Sequence, residues 1–272
     1  MSASMPSGAP RSELSLRVMS ALLMVGIALL TLWWGGWPFA CLWIAAGSVA
    51  GWEWSRITLP ARVSSNHLLF GLCVGVGGML VAAGWPWLAL VWACGMLASC
   101  LLISRKNRTE QALGVLYASA IAIAPIIVRA EPGLGITLIA WCFAVVWSTD
   151  VAAYFTGRAL GGPKLWPAVS PKKTWSGAIG GAAAGVAAGL LVALIARGAG
   201  VIWPLGVVAT IVAGLVSSAA GQLGDLFESA LKRRHDVKDS GSIIPGHGGV
   251  LDRLDAFVVV VTLVAIAAAI WR

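Results

Sequence analysis

Apolar stretches close to twenty residues long alternate with short polar segments along the whole chain. A helix needs about 20 apolar residues to cross the hydrocarbon core of a bilayer. The pattern therefore predicts nine transmembrane helices, at roughly 15–34, 37–55, 67–83, 86–104, 111–128, 134–155, 176–196, 203–224 and 250–271. Turns fall at Gly36-Trp37-Pro38, Gly84-Trp85-Pro86 and Trp203-Pro204. The apolar run from Ser15 to Trp34 exceeds a signal-peptide core and further spans follow, so it reads as the first membrane helix. The expected fold is an all-α, polytopic integral membrane protein. Residues 1–14 are expected to form a disordered tail and 15–272 a single transmembrane domain.

Composition agrees with that pattern. Of 272 residues, 59% are hydrophobic and 11% charged, where a soluble domain has about 25% charged. Fifteen tryptophans, many at span ends, fit an interfacial belt. The five cysteines, at 41, 73, 94, 100 and 142, lie in apolar stretches and form no close pair, which favours buried apolar packing over metal ligation or disulfides. The net charge of +8 raises nucleic acid as a partner, but no nucleic-acid motif accompanies it. Membrane lipids are the better partner, because the cations follow the loops. Arg11 and Arg17 precede the first span; Arg56 and Arg62 lie in the second loop; Arg105, Lys106 and Arg108 in the fourth; Arg158, Lys164, Lys172 and Lys173 in the sixth; Lys232, Arg233, Arg234 and Lys238 in the eighth. The odd loops carry only Arg129 and Arg197. Positive loops stay in the cytoplasm. This predicts a multi-pass membrane protein whose N-terminus and even loops face the cytoplasm.

The small residues of Gly177–Gly189 let helices approach closely in lipid, within the chain or in a homodimer. Charge inside the apolar background carries more information. Asp150 sits within an apolar span, where a carboxylate is costly and functional by default; capping by Ser148, Thr149 or Tyr154 is the structural alternative. Glu53 neighbours Arg56, and an i,i+3 ion pair accounts for it. In the sixth loop, Lys172 and Lys173 directly precede a helix, a place suited to a phosphate. A plain basic cytoplasmic loop explains them equally. The segment Asp225–Asp255 holds six of the eleven acidic residues. Asp225, Glu228 and Lys232 share one helical face, and Asp252 and Asp255 another. Between them runs the flexible turn Ile244-Pro245-Gly246-His247-Gly248-Gly249. Hard oxygen donors of this kind suit Mg2+, with a second cation allowed. Lys232, Arg233, Lys238 and Arg253 could hold anionic groups. No cysteine or second histidine has zinc spacing.

These residues resemble the phosphatidate cytidylyltransferases, or CDP-diacylglycerol synthases. The carboxy-terminal signature of that family is matched by Ser229, Leu231, Lys232-Arg233, Lys238-Asp239, Gly241, Ile244-Pro245, His247-Gly248-Gly249, Asp252-Arg253 and Asp255. A second motif is matched by Asp150, Ala153-Tyr154, Gly157-Arg158, Gly161, Lys164-Leu165 and Ser170 to Trp175, with Ser176 where the family has Glu. The resemblance is strong over 145–177 and 221–255 and only hydropathic over the first half. It implies transfer of a cytidylyl group from CTP to phosphatidic acid. It further implies Asp225 and Asp252 as a metal pair with Glu228 and Asp255 beside them. Lys232 and Arg233 are then catalytic, and Asp150, Lys172, Lys173, Lys238, His247 and Arg253 bind substrate. Enzymes acting on prenyl lipids, and a cation transporter using Asp150, Asp225 and Asp252, are the competing readings.

Overall fold

The computed structural model describes residues 10–59, 64–103 and 107–271. Residues 1–9 of the expected tail, and Arg62, Arg105 and Lys106 of the charge pattern, lie outside the described residues. Among those described there are nine helices: α1 (Pro10–Trp34), α2 (Gly36–Thr58), α3 (Ser64–Ala82), α4 (Pro86–Ile103), α5 (Arg108–Arg129), α6 (Gly135–Leu160), α7 (Trp175–Gly198), α8 (Val207–Arg234) and α9 (Leu251–Trp271). Six of them, α1 and α5 to α9, are long and apolar enough to span a membrane, while α3 and α4 hold shorter apolar stretches.

Two helices outrun their apolar cores. The expected sixth span ends at 155, yet α6 continues to Leu160; the expected eighth ends at 224, yet α8 continues to Arg234. Helical hydrogen bonding continues through residues too polar for lipid, so Asp225, Glu228 and Lys232 stand on a helix that leaves the hydrocarbon. The sixth loop is also structured. Its residues form an antiparallel hairpin of β1 (Lys164–Trp166) and β2 (Ser170–Thr174), pairing Lys164 with Thr174 and Trp166 with Ser170. Thr174 ends the hairpin and caps α7, its hydroxyl accepting from Gly177 N at 3.1 Å.

Small residues set the helix contacts. Gly177, Gly181, Gly185 and Gly189 are all buried and recur every four residues, so they share one face of α7. That face meets α6: a Cβ on Gly181 would lie 2.7 Å from the Thr149 carbonyl oxygen, and one on Gly177 the same distance from that of Ala153. The stripe read from the sequence is thus used within the chain. Gly181→Val is expected to force α6 and α7 apart and cost about 1–3 kcal/mol, read as a lower melting temperature in detergent. Gly198→Ala, where a Cβ meets nothing within 4 Å, serves as the unperturbed control. On α8, Gly224 backs onto the Asp255 carbonyl in the same manner. The core lies among α2, α6 and α9, where Trp43 stacks on Phe257 at 5.1 Å and Phe257 on Phe143 at 4.7 Å.

Candidate active site

Ion pairs join the polar end of α8 to the hairpin and to α9. Lys173 of β2 reaches Asp225 of α8 at 2.5 Å, and Ser229 one turn on donates to the other Asp225 oxygen at 3.3 Å. Seven residues after Asp225, Lys232 lies between Glu228 at 3.0 Å and Asp252 of α9 at 2.6 Å. This trio is almost sealed from solvent, with side-chain exposures of 10% for Lys232, 1% for Glu228 and 6% for Asp252. An ammonium group between two buried carboxylates is stable only because each charge has a partner.

Asp252 is a hub. Besides Lys232, it accepts from Ser240 N, Ser240 Oγ and Gly249 N at 2.8–3.2 Å. Those donors come from the loop between α8 and α9, which can approach because Gly246 and Gly248 adopt positive φ of 75° and 84°. A Cβ on Gly248 would sit 2.7 Å from Asp252 Oδ2. The loop closes on itself through Ile244 N to the Gly248 carbonyl and His247 N to the Ile244 carbonyl, both at 2.9 Å.

Asp255 lies one turn beyond Asp252, its Oδ1 accepting from Ala256 N at 2.8 Å and its carbonyl from Tyr117 Oη at 3.0 Å. Asp150 lies on α6 and is exposed. Direct contacts therefore gather Lys173, Asp225, Glu228, Lys232 and Asp252 into one charged region, with Asp255 one turn along α9 and Arg253 exposed next to Asp252 in the chain. Other expected residues sit around it. Lys172 is exposed, next to Lys173 on a strand whose side chains alternate in direction. Lys238 is exposed. Arg233 donates to the Val237 carbonyl at 3.1 Å, closing the end of α8. His247 turns its Nδ1 to Ser20 Oγ on α1, 2.8 Å away, and Ser20 also donates to the Pro245 carbonyl. Ser176, in place of the expected Glu, hydrogen-bonds the Gly161 carbonyl and so fastens the start of α7 to the hairpin's entry.

Glu53 corrects an expectation. It makes no ion pair with Arg56, whose guanidinium stacks instead over Trp52 at 4.7 Å. The Glu53 side chain is fully buried and accepts from Val250 N, Leu251 N and Ser240 Oγ at 2.9–3.1 Å. The start of α9 supplies two amides that no earlier helical turn can satisfy, and their partial positive charge outbids Arg56. Glu110 makes a similar tie, taking Arg234 at 3.1 Å and His235 at 2.9 Å from the end of α8.

Among the described residues, no three His, Cys, Asp or Glu side chains stand close enough to enclose a metal ion. Mg2+ does not need such a cage, since it binds through one or two carboxylates together with substrate phosphates. Glu228 Oε1 is buried with no hydrogen-bond partner. An orphaned carboxylate oxygen beside Asp225 and Asp255 has the donor chemistry of a divalent-cation site.

Comparison with known proteins agrees with this arrangement. The model of the cytidylyltransferase family matches residues 15–271, so the charged region belongs to a nucleotidyltransferase. The phosphatidate cytidylyltransferase of Brucella suis biovar 1 (strain 1330) is 40% identical over 265 residues, covering 96% of this chain and 95% of that protein. That of Bacillus subtilis (strain 168) is 34% identical, covering 91% of this chain and 95% of its own length. The chain belongs to the phosphatidate cytidylyltransferase family. The likeness reaches across the first half, which in the sequence motifs alone was only hydropathic; the Staphylococcus saprophyticus enzyme, by contrast, aligns at 44% identity over 132 residues, 48% of the chain.

Proposed function

We infer that the chain transfers the cytidylyl group of CTP to phosphatidic acid, giving CDP-diacylglycerol and pyrophosphate, at the cytoplasmic face of the cell inner membrane. The observation that carries this reading is the junction of Lys173 with Asp225 and of Lys232 with Asp252, which draws the two motif-bearing segments into one site. A phosphate oxygen of the lipid attacks the α-phosphorus of CTP, and the bond to the β-phosphate oxygen breaks. A phosphate monoester has its second pKa near 6, so the nucleophile is already anionic near neutral pH and needs no general base. Alignment and charge neutralisation can then supply most of the acceleration.

Lys173 and Lys232 are the ammonium groups nearest the carboxylates, and they steady the triphosphate and the departing pyrophosphate. Lys172, Arg233, Lys238, His247 and Arg253 surround the mouth and bind the outer phosphates. Asp225 and Asp252 would hold Mg2+, with Glu228 and Asp255 as further oxygen donors and Asp150 orienting the nucleotide from α6. The bound ion would supply Lewis-acid stabilisation of negative charge on the phosphates. Asn107 bonds the Thr58 carbonyl and Glu110 takes Arg234, so the helix ends bearing Arg56, Arg108 and Arg234 meet on the side of the site, which supports the cytoplasmic orientation. Pairing with a second copy would use surfaces other than the glycine stripe of α7.

The test is direct. Purified protein in detergent, given phosphatidic acid, Mg2+ and CTP labelled at the α-phosphate, is expected to move label into the lipid fraction. Chelation should stop transfer and added Mg2+ restore it. Label absent from lipid would overturn the reaction, and transfer unaffected by chelation would overturn the role of the metal.

A further inference from the structure

We propose that Glu53, far from both signature segments, is a positioning residue that sets the geometry of Asp252 and Lys232. The proposal rests on the cytidylyltransferase reading above. Three observations carry it. Glu53 is a fully buried carboxylate on α2, a helix that contributes no other acidic side chain. Its oxygens take the Val250 and Leu251 amides at 3.0 and 2.9 Å, so the first turn of α9 is hung from α2. Its remaining bond, from Ser240 Oγ at 3.1 Å, runs to the residue whose own N and Oγ hold Asp252. One hydroxyl is thus shared between the two carboxylates. The loop glycines are shaped to the same end: a Cβ on Gly241 or Gly249 would lie 2.6 Å from Glu53 Oε1.

The bonding has a chemical consequence. A hydroxyl has one hydrogen and can donate fully to only one carboxylate at a time. Glu53 therefore governs how strongly Asp252 is held by Ser240, and through Asp252 how firmly Lys232 is drawn from Glu228. A glutamine at 53 keeps the shape but turns its NH2 toward one of the two amides, which also donates, so that amide loses its acceptor. Asp252 should then shift relative to Lys232 while the helices stay in place.

Glu53→Gln is expected to lower turnover about 10–100-fold, the range for residues that orient a site's ligands. The Mg2+ concentration for half-maximal rate should rise, and KM for phosphatidic acid should not change. Without nucleotide or metal, hydrogen exchange should quicken at residues 240–251 and not in α6 or α7. If Glu53 acts through Ser240, Glu53→Gln and Ser240→Ala together should be no worse than the worse single variant. Additive losses, or a Glu53→Gln protein with wild-type turnover and Mg2+ requirement per folded molecule, would overturn the proposal. Should Glu53→Gln not fold, Ser240→Ala alone decides. It leaves the two α9 amides with Glu53, and unchanged turnover in it would equally overturn the link. Wild-type protein that moves no label into lipid would fail the function instead, and the exchange comparison would still report on the positioning.

Discussion

Asp225→Asn is expected to lower cytidylyl transfer about 10²–10³-fold, the scale for removing one charge-stabilising group from an active site, while leaving the fold intact. The two halves of the expectation have separate causes. Asp225 is partly open, with 31% side-chain exposure, and its partners are Lys173 and Ser229. An ion pair that open contributes about 0–1 kcal/mol to stability, so the melting temperature should scarcely move. Asparagine retains an acceptor for Ser229 but removes the charge that both Lys173 and a divalent ion require. Transfer at the wild-type rate in this variant would show that the Lys173–Asp225 pair is a surface contact and that the site lies elsewhere along α8.

Lys232→Met should act in the opposite way, on stability first. The methionine fills similar volume, but it leaves Glu228 and Asp252 buried against each other with no cation between them. Removing one partner from such a group costs about 3–5 kcal/mol, enough to lower the melting temperature markedly or to reduce the yield of folded protein. Adding Glu228→Gln should recover much of that stability by removing one of the two stranded charges. It is expected not to recover transfer, since the ammonium group proposed to hold the phosphates is still missing. Recovery of both together would mean that Lys232 serves only to neutralise Glu228.

Among the described residues the nine helices were legible as apolar runs, though six of them, not nine, are long and apolar enough to span a membrane: α3 and α4 are shorter and α2 is not among the six. Helix ends were not: the runs from 155 to Leu160 and from 224 to Arg234 are helical although their composition says water. Backbone hydrogen bonding ignores the polarity boundary that the hydropathy pattern follows. The grouping of Asp225, Glu228 and Lys232 on one face followed from helical spacing, and Lys232 duly contacts Glu228. The bridge from Lys232 to Asp252 did not follow, because it depends on how a turn of Gly-rich sequence folds back. Glu53 was the costliest omission. The cost of a carboxylate among apolar residues singles out Asp150, and the same reasoning applies to Glu53 between Trp52 and Trp54. The adjacent Arg56 offered a local explanation, and local spacing cannot reveal a partner 198 residues away. Ser240 and Ser20 carry no signal at all, since an isolated serine becomes informative only when its neighbours in space are known.

The bond between Glu53 and the first amides of α9 also imposes an order on biosynthesis. Glu53 enters the membrane with α2, when residues 250 and 251 have yet to be made. Until residues 250 and 251 emerge, that carboxylate lacks two of its three final donors, the third being Ser240 of the preceding loop. The arrival of α9 is therefore the event that locks α2 into its final depth, and the same event brings Asp252 to Lys232. A nascent chain arrested before residue 250 lacks Asp252 and so cannot close the contact with Lys232.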